Sequence, residues 1–121
     1  MAEAKRLICA SEDLPERGKG VRFRVQTGLG DQPAFVVRYR GKVHAYVNRC
    51  AHVHVELDWN GGGFFDISGL YLVCSTHGAA YRPETGECVG GPCRGQWLAK
   101  LEIVEQADGV YLLNEKESVN G

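Results

Sequence analysis

Val21, Phe23 and Val25 alternate with Arg22, Arg24 and Gln26. A period of two predicts a strand with one buried face. The apolar-rich start Lys5–Cys9 predicts a strand ahead of it, with Ser11-Glu12-Asp13-Leu14-Pro15 and Gly18-Lys19-Gly20 as turn material between them. Gly28-Leu29-Gly30-Asp31 turns the chain again. It is not a dinucleotide fingerprint, because no third Gly follows in place and no helical pattern comes after it. Ala34–Tyr39 and Val43–Val47 flank Arg40-Gly41-Lys42, which predicts a hairpin. Leu70–Cys74 predicts a short buried strand, and Arg82-Pro83-Glu84-Thr85-Gly86 a turn. Trp97, Ala99, Leu101 and Ile103 alternate with Leu98, Lys100, Glu102 and Val104, and Asp108-Gly109 predicts a hairpin turn into Val110–Leu113. From about Glu115 the chain reads as a polar tail. Short strands with frequent turn signals and no amphipathic helix describe an all-β sandwich or small barrel.

Composition narrows the function classes. The chain has 121 residues, enough for one domain with a real core. Fifteen acidic residues nearly cancel fourteen basic ones, and neither sign forms a long run. That excludes a nucleic-acid footprint and a membrane-surface patch. The start, Met1-Ala2-Glu3-Ala4-Lys5-Arg6, has no apolar segment behind it, so neither a signal peptide nor a membrane span is expected. Five Cys is an odd number, which fits a reducing cytoplasm better than a secreted disulfide framework. Cys88 and Cys93 are accordingly expected as reduced, packed thiols, and Cys9 as a small apolar strand residue.

The chemistry concentrates between Cys50 and His77. Cys50-Ala51-His52 and Cys74-Ser75-Thr76-His77 each offer one thiolate and one imidazole at a spacing suited to a bent loop. Two such loops supply four ligands. A zinc ion accepts Cys2His2, and so does a binuclear iron–sulfur cluster with two His on one iron. Zinc fingers usually keep the two Cys in one box and the two His in the other. Here both boxes are mixed, which favours the cluster.

At these residues the chain resembles the Rieske family, whose signature is Cys-x-His followed later by Cys-x-x-His. The resemblance extends through Tyr71-Leu72-Val73-Cys74, Gly78, Thr85-Gly86-Glu87 and Gly90-Gly91-Pro92. It implies a single Rieske domain over 1–121, with a β-rich base and a cluster-binding subdomain near 48–92. It also implies one [2Fe-2S] cluster, with Cys50 and Cys74 on one iron and His52 and His77 on the other. Two ferric ions, two sulfides and two thiolates sum to zero charge, so an added electron is better tolerated than with four thiolates. The family range is roughly −150 to +300 mV. High-potential relatives carry a Ser two residues past the second His and a disulfide between the cluster loops. This chain has Ala79 at the Ser position and Val55 and Thr76 at the disulfide positions. Tyr81 sits where those relatives place a Tyr donor. Fewer donors imply a low-potential cluster. Gly90-Gly91-Pro92 resembles the loop that covers the cluster, with Cys93 an unusual residue after Pro92. The 21 residues between His52 and Cys74 are more than is usual, and Gly61–Gly63 falls in the extra stretch.

The function implied is a single-electron carrier, a Rieske-type ferredoxin without catalysis of its own. It would be a monomeric cytoplasmic protein passing electrons from a reductase to an oxygenase or similar acceptor. A Rieske-like small subunit of a nitrite reductase is the alternative within the resemblance. A zinc-stabilised interaction module is the alternative of another class, and an iron–sulfur sensor a third. His54 reads as a loop histidine and His44 as part of a strand's polar face. Trp59, Phe64 and Phe65 suit either a core or an apolar docking rim.

Overall fold

The run Ala34-Phe35-Val36-Val37 is apolar without alternation, which marks a strand buried on both faces. In the computed structural model, which describes residues 5–51, 55–58, 63–74, 78–91 and 93–113, all four are at most 1% exposed. They lie in β3 (Gly30–Tyr39), which pairs antiparallel with β2 (Val21–Thr27) and β4 (Lys42–Val47). Arg40-Gly41 is the two-residue turn of the predicted hairpin.

β3 separates two cores. Ala34 and Val36 face one side, together with Ala45 and Val47 of β4 and the alternating Val21, Phe23 and Val25 of β2. That side is covered by a second sheet of β1 (Lys5–Ala10), β10 (Gly109–Leu113) and β9 (Ile103–Gln106), in the order β1-β10-β9. Val110 and Leu112 fill the space between the sheets. Arg38 of β3 locks the two sheets together. Its guanidinium donates to both carboxylate oxygens of Glu105, at 2.9 and 2.6 Å, and to the carbonyl of Leu14 at 2.7 Å. Glu105 is thereby held at a pKa of about 2, chiefly by the Arg38 hydrogen bonds.

Phe35, Val37 and Tyr46 point the other way, into the core beneath a third sheet. This sheet consists of β5 (Leu72–Val73), β6 (Ala80–Tyr81) and β7 (Cys88–Gly90), all antiparallel. Phe64 stacks on Phe35 with ring centroids 4.0 Å apart, so Phe64 is core. Phe65 is half-buried against Tyr39. Each fully buried aromatic or aliphatic side chain contributes about 1.5–3 kcal/mol. The Tyr46 hydroxyl donates to the Pro83 carbonyl at 2.7 Å, tying the β6–β7 turn to β4.

Two local expectations need correction. The alternation from Trp97 to Val104 does not form one strand. Leu98 is buried while Trp97 is 56% exposed, because Glu87 bridges to Trp97 and the Leu98 N–H donates to Gly86. The chain then pairs with β4 as β8 (Lys100–Leu101), crosses at Glu102 and joins β10 as β9. Leu101 and Ile103 do pack inward. The following hairpin turns at Ala107-Asp108 rather than Asp108-Gly109, since Gly109 already pairs with Gln106. Among the described residues no helix is long and apolar enough to cross a membrane.

Candidate metal centre

β4 delivers Cys50 and β5 delivers Cys74 to the same buried cluster, each 1% exposed. The two cysteines make matching backbone bonds. The Cys50 N–H donates to the Val55 carbonyl at 2.8 Å, and the Cys74 N–H to the Ala79 carbonyl at 2.9 Å. Each bond closes a five-residue loop directly after its cysteine, and each box histidine falls within that stretch of sequence. The second loop is tightened by Gly78, whose N–H donates to the Cys74 carbonyl with φ +71, a conformation open to glycine. His52, His54, His77, Pro92 and Trp59 lie outside the described residues. Among the described residues no three His, Cys, Asp or Glu side chains gather at one point, as both box histidines lie outside that set.

Tyr81 reaches the Cys50 sulfur. Its hydroxyl accepts a hydrogen bond from the Ala51 N–H at 2.9 Å and lies 3.2 Å from Cys50 Sγ. A Cys50 thiolate can only accept, and the hydroxyl proton then points at the sulfur. Burial, and then the contact with Cys50, push the Tyr81 pKa well above the usual phenol value, so the proton stays in place. A permanent donor aimed at a sulfur suits a thiolate. Two buried sulfurs in one core cluster, one of them 3.2 Å from the Tyr81 hydroxyl, fit a metal cluster ligated through thiolates. Ala79 is also buried here and contributes no hydroxyl.

Sequence reasoning missed the clamp under the first loop. Asn48 is 1% exposed; its side-chain oxygen accepts from the Leu57 N–H at 2.8 Å and its amide donates to Asp58 at 3.1 Å. Asp58, 7% exposed, also meets Arg22 at 3.5 Å. Asn and Asp ten positions apart give no periodic signal, so only the fold brings them together.

The cysteines outside the boxes divide. Cys9 is half-buried in β1 and packs with the sheet-to-sheet core. Cys88 and Cys93 are buried, at 2% and 0% exposure, but are joined in a disulfide rather than reduced. The turn at Gly90-Gly91 brings their Cα atoms to 5.9 Å, within bridging range. His44 is half-buried on β4, and burial, followed by nearby Lys100, pulls its pKa down.

The family model for the Rieske [2Fe-2S] domain matches residues 4–108. The fold is similar to the terminal oxygenase of carbazole 1,9a-dioxygenase from Novosphingobium sp. KA1, at 24% identity and TM-score 0.74. That match covers 93% of this chain and 30% of the oxygenase chain. It is similar also to the ferredoxin of carbazole 1,9a-dioxygenase from Nocardioides aromaticivorans IC177, at 23% identity and TM-score 0.73, covering 93% of this chain and 99% of the other. A chain in the complex of reduced oxygenase and oxidized ferredoxin in carbazole 1,9a-dioxygenase matches at 25% identity and TM-score 0.71, covering 93% and 95%. Among curated proteins none matches the chain in sequence.

Proposed function

The chain belongs to the Rieske [2Fe-2S] family, whose domain carries one cluster of the Rieske type, and we propose that Cys50, His52, Cys74 and His77 ligate it here. The buried pair Cys50 and Cys74, with the Tyr81 hydroxyl on Cys50 Sγ, is the observation that carries this assignment. When bound, the cluster takes up and releases one electron. Cys50 and Cys74 hold their sulfurs away from water, and Tyr81 donates to the Cys50 thiolate. Asn48 and Asp58 brace the chain leading out of the first loop. Residues 48–92 form the cluster-binding subdomain of a single domain spanning 1–121, with Pro92 in the covering loop.

The chain acts as a single-electron carrier between a reductase and an oxygenase or similar acceptor, with no catalysis of its own. Near-complete mutual coverage with a ferredoxin, and the match to a chain of an oxygenase–ferredoxin complex, support this reading. The covered share of the oxygenase chain is only 30%. A low potential follows from Ala79, which offers no hydroxyl where a Ser would donate to the cluster. A monomeric, cytoplasmic carrier completes the proposal.

The test is to replace each ligand in turn by Ala and to count iron and acid-labile sulfide. Loss of both in all four variants is expected. Retention of two irons and a wild-type spectrum in any one overturns that ligand's assignment. Reduction by an oxygenase-system reductase and reoxidation by its oxygenase tests the carrier role. Failure to exchange electrons with any such pair contradicts it.

A further inference from the structure

The Cys88–Cys93 disulfide is built into the wall of this site. Cys88 stands directly across from Tyr81 in the β6–β7 pairing, and Tyr81 is the residue whose hydroxyl meets Cys50 Sγ. On its outer side the Cys88 N–H donates to the Gln96 carbonyl, and the Gln96 N–H donates to the Cys93 carbonyl. Both sulfurs lie in the same buried cluster as Cys50, Cys74, Ala79 and Tyr81.

Between the two cysteines the chain turns over the second cysteine loop. Gly91 has φ +85, and a Cβ there would stand 3.0 Å from Ala79 Cα and 3.3 Å from Ala79 N. The turn therefore rests on backbone, and on the residue whose carbonyl accepts the Cys74 N–H. The disulfide ties the two ends of this turn together.

We propose that the Cys88–Cys93 disulfide is a positioning brace for the cluster ligands. It holds β7 against β6, and so keeps the Tyr81 hydroxyl on Cys50 Sγ. It also holds the Gly90-Gly91 turn on Ala79, and so keeps the second loop closed on Cys74. The inference rests on the assignment of Cys50 and Cys74 as ligands. Burial makes the bridge a fixed brace rather than an exchanging pair, since thiol–disulfide exchange requires a thiolate to reach a sulfur.

Alkylation of the unfolded, unreduced protein comes first. Three modified thiols are expected; five would overturn the proposal. The loaded protein is then compared with Cys88→Ala/Cys93→Ala, with Tyr81→Phe and with the triple variant, by redox titration and EPR. Removing the disulfide is expected to shift the midpoint potential downward, as Tyr81→Phe does. The part of the shift that runs through the Tyr81 hydroxyl should vanish in the Tyr81→Phe background, leaving only the part that runs through the Gly90-Gly91 turn. An unchanged potential and EPR spectrum, or a full additional shift in the triple variant, overturns it. Should the double variant not fold, Cys93→Ser alone opens the bridge while keeping a side chain of similar size. A folded Cys93→Ser protein at wild-type potential overturns the proposal. Should the protein carry no iron at all, the ligand assignment fails, and the brace is read from amide exchange instead. Faster exchange at Ala51 and Cys74 without the disulfide supports it; equal rates overturn it.

Discussion

Replacing Tyr81 by Phe removes one oxygen atom and both of its hydrogen bonds, to the Ala51 N–H and to Cys50 Sγ. The ring stays in the core at nearly constant volume, so packing is little changed. A hydrogen bond to a charged acceptor contributes about 1.5–3 kcal/mol net. Only the part that differs between oxidised and reduced states affects the potential. Reduction adds one electron, shared among iron, sulfide and thiolate, so a third to a half of the bond, about 0.5–1.5 kcal/mol, is a reasonable differential. A tenfold change in equilibrium constant is about 1.4 kcal/mol, or about 59 mV for one electron. The midpoint potential of Tyr81→Phe is therefore expected to fall by about 20–60 mV. The assay is an EPR-monitored redox titration beside the wild type, with iron counted on both samples. A potential unchanged or raised, at full iron content and with an intact signal, would refute the claim that this hydroxyl donates to a cluster thiolate.

Asn48→Ala leaves the buried Leu57 N–H without its acceptor and should cost about 2–3 kcal/mol in urea unfolding, with faster cluster loss; wild-type stability contradicts the clamp. Arg38→Ala should cost about 2–3 kcal/mol by the same measurement, because Glu105 and the Leu14 carbonyl lose a half-buried partner together. Glu105 titrates near 2 when folded, against an ordinary value of 4.5, so its contribution is complete above about pH 4.5 and is lost as pH falls through about 2. Glu105→Gln should therefore flatten the acid limb of the stability curve, and an unchanged limb refutes the pairing.

What the sequence revealed depended on how local the signal was. The period-two pattern of β2 and the Arg40-Gly41 turn arise from neighbouring residues, and both appear where expected. Ala34–Val37 was legible as a strand, though not as the wall between two cores. β6 and β7, at two and three residues, carry no periodicity; tertiary packing and the Tyr46–Pro83 hydrogen bond hold them in place. Leu98 faces inward because Glu87 and Gly86 capture that segment, a contact no local pattern contains. At the site, residue type alone singled out Cys50 and Cys74, and the fold brings both into one buried cluster. Asn48 and Asp58 were silent because only the folded loop gives them a shared task. Cys88 and Cys93 misled because the redox argument weighed the compartment and not the Gly90-Gly91 turn that brings them together.

The central claim is a binuclear cluster with mixed thiolate and imidazole ligation. EPR of the dithionite-reduced protein, with iron, sulfide and zinc counted on the same sample, tests it most directly. The account predicts a coloured protein with two irons and two sulfides per chain and the signal of a reduced mixed-ligand cluster. A colourless, EPR-silent protein holding one zinc ion would contradict it.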